Sequence, residues 1–252
     1  QVTGRDFDAT TRAITLGEGG GGFDIADAGH RFTLAQDITG DGALVKHGAG
    51  TLVLTGSNDH AGGTRLFGGT LSVSSDSALG APSSALHFDG GTLQVTGRDF
   101  GATTRAITLG DGGGGFDIAD AGHRFTLAQD ITGSGALVKD GAGTLVLEGD
   151  NAYTGGTRLL GGTLSVSSDS ALGAPSSALH FDGGTLQVTG TEFGATTRAI
   201  TLGEGGGGFD IADAGHRFTL AQDITGSGAL VKHGAGTLVL TGSNDHAGGT
   251  RI

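Results

Sequence analysis

The sequence contains a glycine- and aspartate-rich string that could hold a metal ion. Residues 17–30 read GEGGGGFDIADAGH, in which the glycines and Asp24 fit the G-G-x-G-x-D start of a calcium-binding nonapeptide. Carboxylate and carbonyl oxygens are the ligands that calcium prefers in proteins. The same string returns at residues 203–216 and, with Asp111 in place of the glutamate, at residues 110–123. The first question is whether these residues bind a metal ion or serve the fold.

Other side chains that could do chemistry are present without the required spacing. The nine histidines form no H-x-H or H-E-x-x-H pattern, and no G-x-S-x-G nucleophile elbow occurs. His30, His123 and His216 are copies of one position, and we expect them to be solvated or to lie at an edge. Cysteine is absent, and the net charge of −12 argues against a nucleic-acid partner. We therefore predict no catalytic residue, no metal and no cofactor.

The chain repeats itself every 93 residues. The string QVTG opens unit 1 (residues 1–93), unit 2 (residues 94–186) and a truncated unit 3 (residues 187–252). Units 1 and 2 differ at 10 of 93 positions. A tandem period of this length indicates either separate domains or several solenoid turns per unit.

Within each unit, short alternating stretches are bounded by glycine-rich turns. Similar stretches return about every 20 to 23 residues, as the equivalent positions Val45, Leu66 and His87 do, which favours three strands per coil. The sequence therefore predicts an all-β, right-handed parallel β-helix with about four coils per unit and negligible α-helix, the three units forming one continuous solenoid. We expect Leu52 and Leu54 to be buried, and arginine, threonine, serine and aspartate to face outward.

This architecture argues against calcium binding. Coils about 4.8 Å apart would place Asp24 and Asp117 roughly 19 Å from each other. Calcium–oxygen distances are about 2.3–2.6 Å, so the copies cannot share an ion. A single site built from Asp24, Asp27 and a glycine carbonyl remains the alternative. We predict instead that the glycines serve the corners of the coil, where positive φ is needed.

One segment of each unit resembles a known family. Residues 48–80, GAGTLVLTGSNDHAGGTRLFGGTLSVSSDSALG, strongly resemble the passenger-associated transport repeat of bacterial autotransporters (type V secretion). Unit 2 is closer still, because residues 151–157 match the N-x-Y-T-G-G-T of the family, whereas units 1 and 3 carry His-Ala in place of Tyr-Thr. The resemblance implies a passenger domain, folded as a right-handed β-helix and displayed at the bacterial cell surface, either anchored in the outer membrane or released. It also implies export through a C-terminal outer-membrane β-barrel, which lies outside this sequence. Such passengers are mostly adhesins or self-associating biofilm proteins linked to virulence.

The differences between units 1 and 2 concentrate in one turn. Six of the ten fall between Thr55 and Phe67. We predict that this turn projects from one edge of the solenoid and forms a contact surface. Its candidate contact residues are Asp59, His60, Ala152, Tyr153, Thr154, Asp245 and His246. The alternative is sequence drift in a tolerant loop.

Three functions remain as hypotheses. The first is a non-enzymatic adhesive stalk that binds identical passengers or a host surface ligand, with a negative charge that opposes self-association at low salt. The second is an inert spacer that presents a distal functional domain. The third is a polysaccharide-cleaving β-helix enzyme, which would need several carboxylates on adjacent coils.

Overall fold

A computed structural model describes residues 1–3 and 8–252, and it consists almost entirely of short strands. Among these described residues, helix is limited to two 3₁₀ turns, Asp76–Leu79 and Asp169–Leu172. Within the same ranges, no helix has the length and apolar character needed to cross a membrane.

The strands in chain order are β1 (Ala9–Thr10), β2 (Ile14–Leu16), β3 (Gly21–Asp24), β4 (Arg31–Leu34), β5 (Ile38–Gly40), β6 (Leu44–His47), β7 (Thr51–Leu54), β8 (Thr64–Leu66), β9 (Thr70–Val73), β10 (Leu86–Phe88), β11 (Thr92–Val95), β12 (Ala102–Thr103), β13 (Ile107–Leu109), β14 (Gly114–Ile118), β15 (Arg124–Leu127), β16 (Ile131–Gly133), β17 (Leu137–Asp140), β18 (Thr144–Leu147), β19 (Thr157–Leu159), β20 (Thr163–Val166), β21 (Leu179–Phe181), β22 (Thr185–Val188), β23 (Ala195–Thr196), β24 (Ile200–Leu202), β25 (Gly207–Ile211), β26 (Arg217–Leu220), β27 (Ile224–Gly226), β28 (Leu230–His233), β29 (Thr237–Leu240) and β30 (Thr250–Arg251).

The strands pair in parallel on three faces of a solenoid. The first face is a sheet of eleven strands in the order β1-β4-β7-β9-β11-β14-β17-β19-β21-β24-β27. The second face begins with β2-β5 and continues in the eight strands β12-β15-β18-β20-β22-β25-β28-β30, and the third holds β3-β6-β8-β10-β13-β16 and then β23-β26-β29. The predicted fold class is confirmed as an all-β parallel solenoid with three faces per coil.

Inward side chains stack on like side chains of the next coil. On the first face, Leu52 is in register with Phe32 on one side and with Leu71 on the other, and all three are buried. The prediction that Leu52 and Leu54 are buried is confirmed, since their exposed fractions are 0% and 1%. Each buried leucine removes apolar surface from water. Because each coil packs on its neighbours, a longer chain has a longer core, while the diameter of the core stays the same.

The glycine-rich string forms a corner followed by a strand. Gly20 has a φ of 72°, and a Cβ atom at this position would lie 2.7 Å from the carbonyl oxygen of Ala43 in the next coil. A side chain there would therefore meet both backbone strain and a close contact. Residues 21–24 then pair with β6 as strand β3.

The repeat unit does not return to the same face. From β1 to β11 the chain has eleven strands, and residues 58–61 and the 3₁₀ turn Asp76–Leu79 fill two further positions, thirteen in all. Thirteen positions on three faces make four coils and one extra segment, where the sequence predicted about four coils. The copies β1, β12 and β23 accordingly lie in three different sheets. Each unit is turned by one face relative to the unit before it.

Candidate contact surface

The predicted contact residues lie in three short stretches that we call contact segments: residues 58–61, 151–154 and 244–247. The backbone amides of Asp59, Ala152 and Asp245 donate to carbonyl oxygens of the preceding coil at 3.0, 2.8 and 3.1 Å. The segments are therefore stacked parts of a face. The prediction of a projecting turn is wrong, because parallel backbone hydrogen bonds hold these residues to the coil before them.

An asparagine begins each contact segment and joins neighbouring coils. Asn58 Oδ1 accepts a hydrogen bond from the amide of Ile38 at 2.8 Å, and Asn58 Nδ2 donates to the carbonyl oxygen of Ala78 at 2.5 Å. Asn151 makes the equivalent two bonds in unit 2, at 2.8 and 2.6 Å. Both asparagines are buried. A buried amide with both ends satisfied fixes the backbone of the segment that follows it.

The three contact segments face in three directions. The amide of Asp59 bonds to Ile38 in β5 on the second face, whereas that of Ala152 bonds to Ile131 in β16 on the third face. The amide of Asp245 bonds to β27 on the first face. The prediction that these residues share one edge is therefore wrong, because the unit contains one segment more than four coils.

Side chains alternate between outside and inside along each contact segment. Asp59, Ala152, Thr154 and Asp245 are exposed, and His246 is half-buried. His60 and Tyr153, in contrast, are 0% exposed. The prediction that these two residues form part of the contact surface is therefore wrong. Their side chains point into the solenoid because the ladder imposes the alternation of a strand.

His60 and Tyr153 occupy equivalent sites with different hydrogen bonding. The Tyr153 hydroxyl lies 2.7 Å from Thr157 Oγ1, and burial raises the pKa of Tyr153. Neither ring nitrogen of His60 has a hydrogen-bond partner. Burial lowers the pKa of His60, and the charge of nearby Arg105 lowers it further, while Asp59 opposes the shift. Burial therefore favours the neutral form of His60 inside the solenoid.

A buried arginine makes hydrogen bonds to the coil beside His60, and another does so beside Tyr153. Arg105 is 2% exposed, and its guanidinium donates to both carboxylate oxygens of Asp76 at 3.0 Å. It also donates to the carbonyl oxygens of Gly80 and Ala81 at 2.8 and 2.5 Å. Arg198 repeats this network with Asp169 in the next unit. The prediction that arginine faces outward is wrong here, because these bonds satisfy the buried charge.

Buried lysines hold another corner. Lys46 is 0% exposed, and its ammonium donates to the carbonyl oxygens of His47, Gly48 and Gly68 at 2.6, 2.8 and 3.1 Å. Burial lowers the pKa of Lys46 to about 8. Lys139 makes the equivalent bonds in unit 2, where burial again lowers the pKa to about 8. The alternation of Leu44, Val45 and Lys46 was the sequence signal for this burial.

The histidines that we expected to be solvated or at an edge are buried. His30, His123 and His216 are 4 to 6% exposed. The ring nitrogen Nε2 of His123 lies 2.9 Å from the carbonyl oxygen of Phe100, and His216 makes the same contact with Phe193. An imidazole can enter the solenoid at this position because a carbonyl of the preceding coil is available to its ring nitrogen.

The aspartates of the glycine-rich string make contacts within the fold. Asp117 accepts a hydrogen bond from Gln94 at 2.7 Å, and Asp27 accepts one from the amide of Gly29 at 2.9 Å. Across residues 1–3 and 8–252, no three His, Asp or Glu side chains are placed to hold a metal ion. The absence of a bound calcium ion stays a prediction: we expect the melting temperature to be the same with and without a chelator.

The substitutions between units 1 and 2 are confined almost entirely to the surface. In unit 1, nine of the ten differing positions are exposed, and His60 is the exception. Asp59, for example, is replaced by Ala152, while the buried Asn58 keeps its identity and its bonds in Asn151. The framework is thus constant from unit to unit, and the outward side chains vary.

Comparison with known proteins finds sequences that are similar to this framework. The passenger-associated transport repeat matches residues 44–73, 137–166 and 230–252, one match in each unit. Over 147 residues the chain is 44% identical to the adhesin BmaC autotransporter of Brucella suis biovar 1 (strain 1330). That region is 58% of this chain and 4% of the adhesin, so the chain spans only a small part of its relative. No solved structure matches the chain.

The matched repeats cover the strands that frame the contact segments. In unit 1 the match runs from Leu44 in β6 to Val73 in β9 and includes Asn58 and His60. In unit 2 it runs from Leu137 to Val166 in the same way. The chain carries three passenger-associated transport repeats and is similar to a small part of an autotransporter adhesin.

Proposed function

We propose that this segment is part of a non-enzymatic adhesive stalk displayed at the bacterial cell surface. The transport repeats support an exported passenger, and the related autotransporter is named an adhesin. The observation that carries the proposal is the division between a constant inside and a variable outside, since nine of ten substitutions between units are exposed. A surface that contacts partners can change in this way without disturbing the core.

The proposed partners are identical passengers or a ligand on a host surface. Each contact segment offers only a few exposed side chains, so a single contact would be weak. Several units on one rod would add their contacts by multivalency, without a new association cost for each unit. The net charge of −12 makes rods repel one another, so association between them should strengthen as salt screens the charge.

The second candidate is an inert spacer. The exposed substitutions are compatible with a spacer if they are sequence drift. The sheets also continue from one unit into the next, since β11 pairs with β14, and a continuous sheet suits a spacer. A polysaccharide-cleaving activity is the remaining alternative. Incubating the chain with a panel of glycans and measuring new reducing ends would reveal such an activity.

Beads coated with the chain separate the adhesive stalk from the spacer. We expect such beads to aggregate with one another or to adhere to a mammalian cell monolayer more than albumin-coated beads do. A matched control carries serine at the exposed positions Asp59, Ala152, Thr154 and Asp245, with the buried His60 and Tyr153 unchanged. It should keep the circular-dichroism spectrum and lose adhesion. Beads that neither aggregate nor adhere would favour the spacer.

A further inference from the structure

An aromatic side chain lies exposed on the third face of unit 1. Phe67 follows β8 and is 40% exposed, and among the described residues the only other exposed large hydrophobic side chain is that of Ile252. The ring of His47 stacks on Phe67 at a centroid distance of 5.1 Å and an interplanar angle of 14°, and the ring of His87 lies tilted at 6.1 Å. His47 belongs to the coil before Phe67 and His87 to the coil after it. Neighbouring coils therefore hold the Phe67 ring in place while solvent reaches it.

The Phe67 ring forms one wall of an open depression. This depression, which we call the Phe67 groove, has a volume of about 340 Å³ and is lined by Gly62, Thr64, Arg65, Phe67, Ala85 and His87. Binding sites for small molecules have volumes of about 300–1,000 Å³ and combine apolar or aromatic walls with a few polar groups. The groove therefore has the size and the mixed lining of a site for a small ligand or for the end of a longer one.

The polar groups of the Phe67 groove favour an anion. Arg65 is exposed, and its guanidinium makes no hydrogen bond or ion pair with any residue that the structure describes, whereas Arg105 is paired with Asp76. His87 is in register with Arg65 on the neighbouring strand and adds a second polar ring. The lining contains no carboxylate, although the chain carries 26 acidic residues against 14 lysines and arginines. A free guanidinium can bind a carboxylate through two parallel hydrogen bonds.

The aromatic stack varies between units as a pair. Two of the ten positions that differ between units 1 and 2 are the stacked partners His47 and Phe67, which become Asp140 and Leu160. The other residues that line the groove are identical in unit 2. The amides of Phe67 and Leu160 both donate to a lysine carbonyl of the preceding coil at 2.9 Å. The exposed ring is therefore a feature of unit 1 that the backbone of the coil does not require.

We propose that the Phe67 groove binds a sugar that carries one carboxylate, at the end of a glycan on the host surface. The inference rests on the adhesive function proposed above and names its ligand. The apolar C–H face of the sugar packs against Phe67, its carboxylate pairs with Arg65, and a hydroxyl group bonds to the ring of His87.

The charge and the aromatic wall distinguish this ligand from other anions. The net charge of −12 repels a polyanion such as a heavily sulfated chain, whereas a single carboxylate meets much less repulsion. An acidic peptide offers a carboxylate to Arg65 but no rigid apolar ring face to cover Phe67. A carboxylated sugar offers both groups on one small ring.

Titration of the chain with small saccharides tests this inference. The probes are sialyllactose and glucuronic acid, each of which carries one carboxylate, and their neutral counterparts are lactose and glucose. Saturation-transfer difference NMR measures the binding. We expect the chain to bind at least one acidic probe, and to bind the neutral counterpart at least about tenfold more weakly, because the neutral sugar lacks the bonds to Arg65.

Variants within the groove and in its unit 2 copy locate the binding. Arg65→Gln should weaken binding of the acidic probe at least about tenfold, and Phe67→Leu, which takes the residue of unit 2, should weaken it several-fold. Arg158→Gln, at the equivalent exposed arginine of unit 2, is the matched control and should leave binding unchanged. Asp140→His combined with Leu160→Phe should add a second binding site to the chain. Circular dichroism of each variant checks that the fold is intact.

Some outcomes would overturn the inference. These are no binding of either acidic probe, equal binding of a glutamate-rich peptide, and binding that Phe67→Leu or Arg65→Gln leaves unchanged. Coated beads that adhere to a mammalian cell monolayer without any binding of the acidic probes would overturn the inference and leave the adhesive function standing. Binding of an acidic probe as expected, with beads that do not adhere, would overturn the adhesive function and leave the saccharide site standing.

Discussion

Tyr153 and His60 fill the same buried position in successive units, yet only Tyr153 has a hydrogen-bond partner, Thr157 Oγ1 at 2.7 Å. Two residues beside this position are the same in both units, because Thr64 and Gly80 correspond to Thr157 and Gly173. The site that the histidine occupies in unit 1 therefore has the residues that accommodate a tyrosine in unit 2.

Replacing the histidine with the tyrosine should stabilise the protein. We expect His60→Tyr to raise the free energy of unfolding by about 1–3 kcal/mol, because it removes a buried polar ring without partners and adds a bond to Thr64. Urea unfolding followed by circular dichroism measures this change. The reverse variant, Tyr153→His, should lower the free energy of unfolding by a similar amount. Equal stabilities of the two variants would contradict this difference in hydrogen bonding.

The same histidine should make the protein sensitive to acid. Burial lowers the pKa of His60 in the folded state, so the unfolded chain binds a proton more readily. Stability is then retained above a pH of about 6.5, the ordinary pKa of histidine, and lost as pH falls below it toward the lowered folded pKa. We expect the melting temperature of the wild type to fall more steeply between pH 7 and pH 5 than that of His60→Tyr. Parallel curves for the two proteins would show that His60 does not titrate in this way.

The arginine network offers a comparison between a buried and an exposed copy. Arg105→Ala should lower the free energy of unfolding by about 3–5 kcal/mol, because it leaves buried carbonyls and Asp76 without their donor. Arg12 is the equivalent residue of unit 1 and is exposed, so Arg12→Ala should change the stability by less than about 0.5 kcal/mol. Thermal and urea unfolding of the two variants check the difference. Similar losses would mean that burial of the arginine contributes little.

The alternation within β7 gives a further comparison. Leu52 is buried and Thr51 is half-buried, so we expect Leu52→Ala to cost about 2–5 kcal/mol as a cavity substitution. Thr51→Ala should cost less than about 1 kcal/mol, since it removes an outward hydroxyl. Urea unfolding of both variants is the measurement. A larger loss for Thr51→Ala would reverse the assignment of the two faces of the strand.

Parts of this fold could be read from the sequence, and parts could not. The alternation around Leu52, the glycine-rich turns and the 20-residue spacing were enough to predict a parallel solenoid. The burial of Arg105 could not be predicted, because an arginine is normally solvated and its acceptors lie more than twenty residues away. Lys46 could have been placed inside by extending the alternation of Leu44 and Val45, despite its charge.

The orientation of the contact residues was also beyond the sequence pattern. Residues 58–61 resemble a turn, and only the backbone bonds to β5 show that they alternate like a strand. The exposed Asp59 and the buried His60 could therefore not be distinguished. The rotation of each unit by one face could be found only by counting every segment of the unit, including two segments that are not strands. The spacing of the strands alone predicted about four coils per unit.

The rotation of successive units can be measured directly by distances between spin labels in the cysteine-free chain. Asp59→Cys paired with Val146→Cys places both labels on the second face, four coils apart, and should give about 19 Å between backbone positions. In the pair Asp59→Cys and Ala152→Cys, the second label lies one segment further along the chain and on a different face. The extra axial rise is about 2 Å, and the change of face should lengthen the distance between the labels by several ångströms more. Double electron–electron resonance on both pairs gives the two distances. A clearly longer distance for the Asp59–Ala152 pair is the expected result, and a difference of only about 2 Å would show that successive units face the same way.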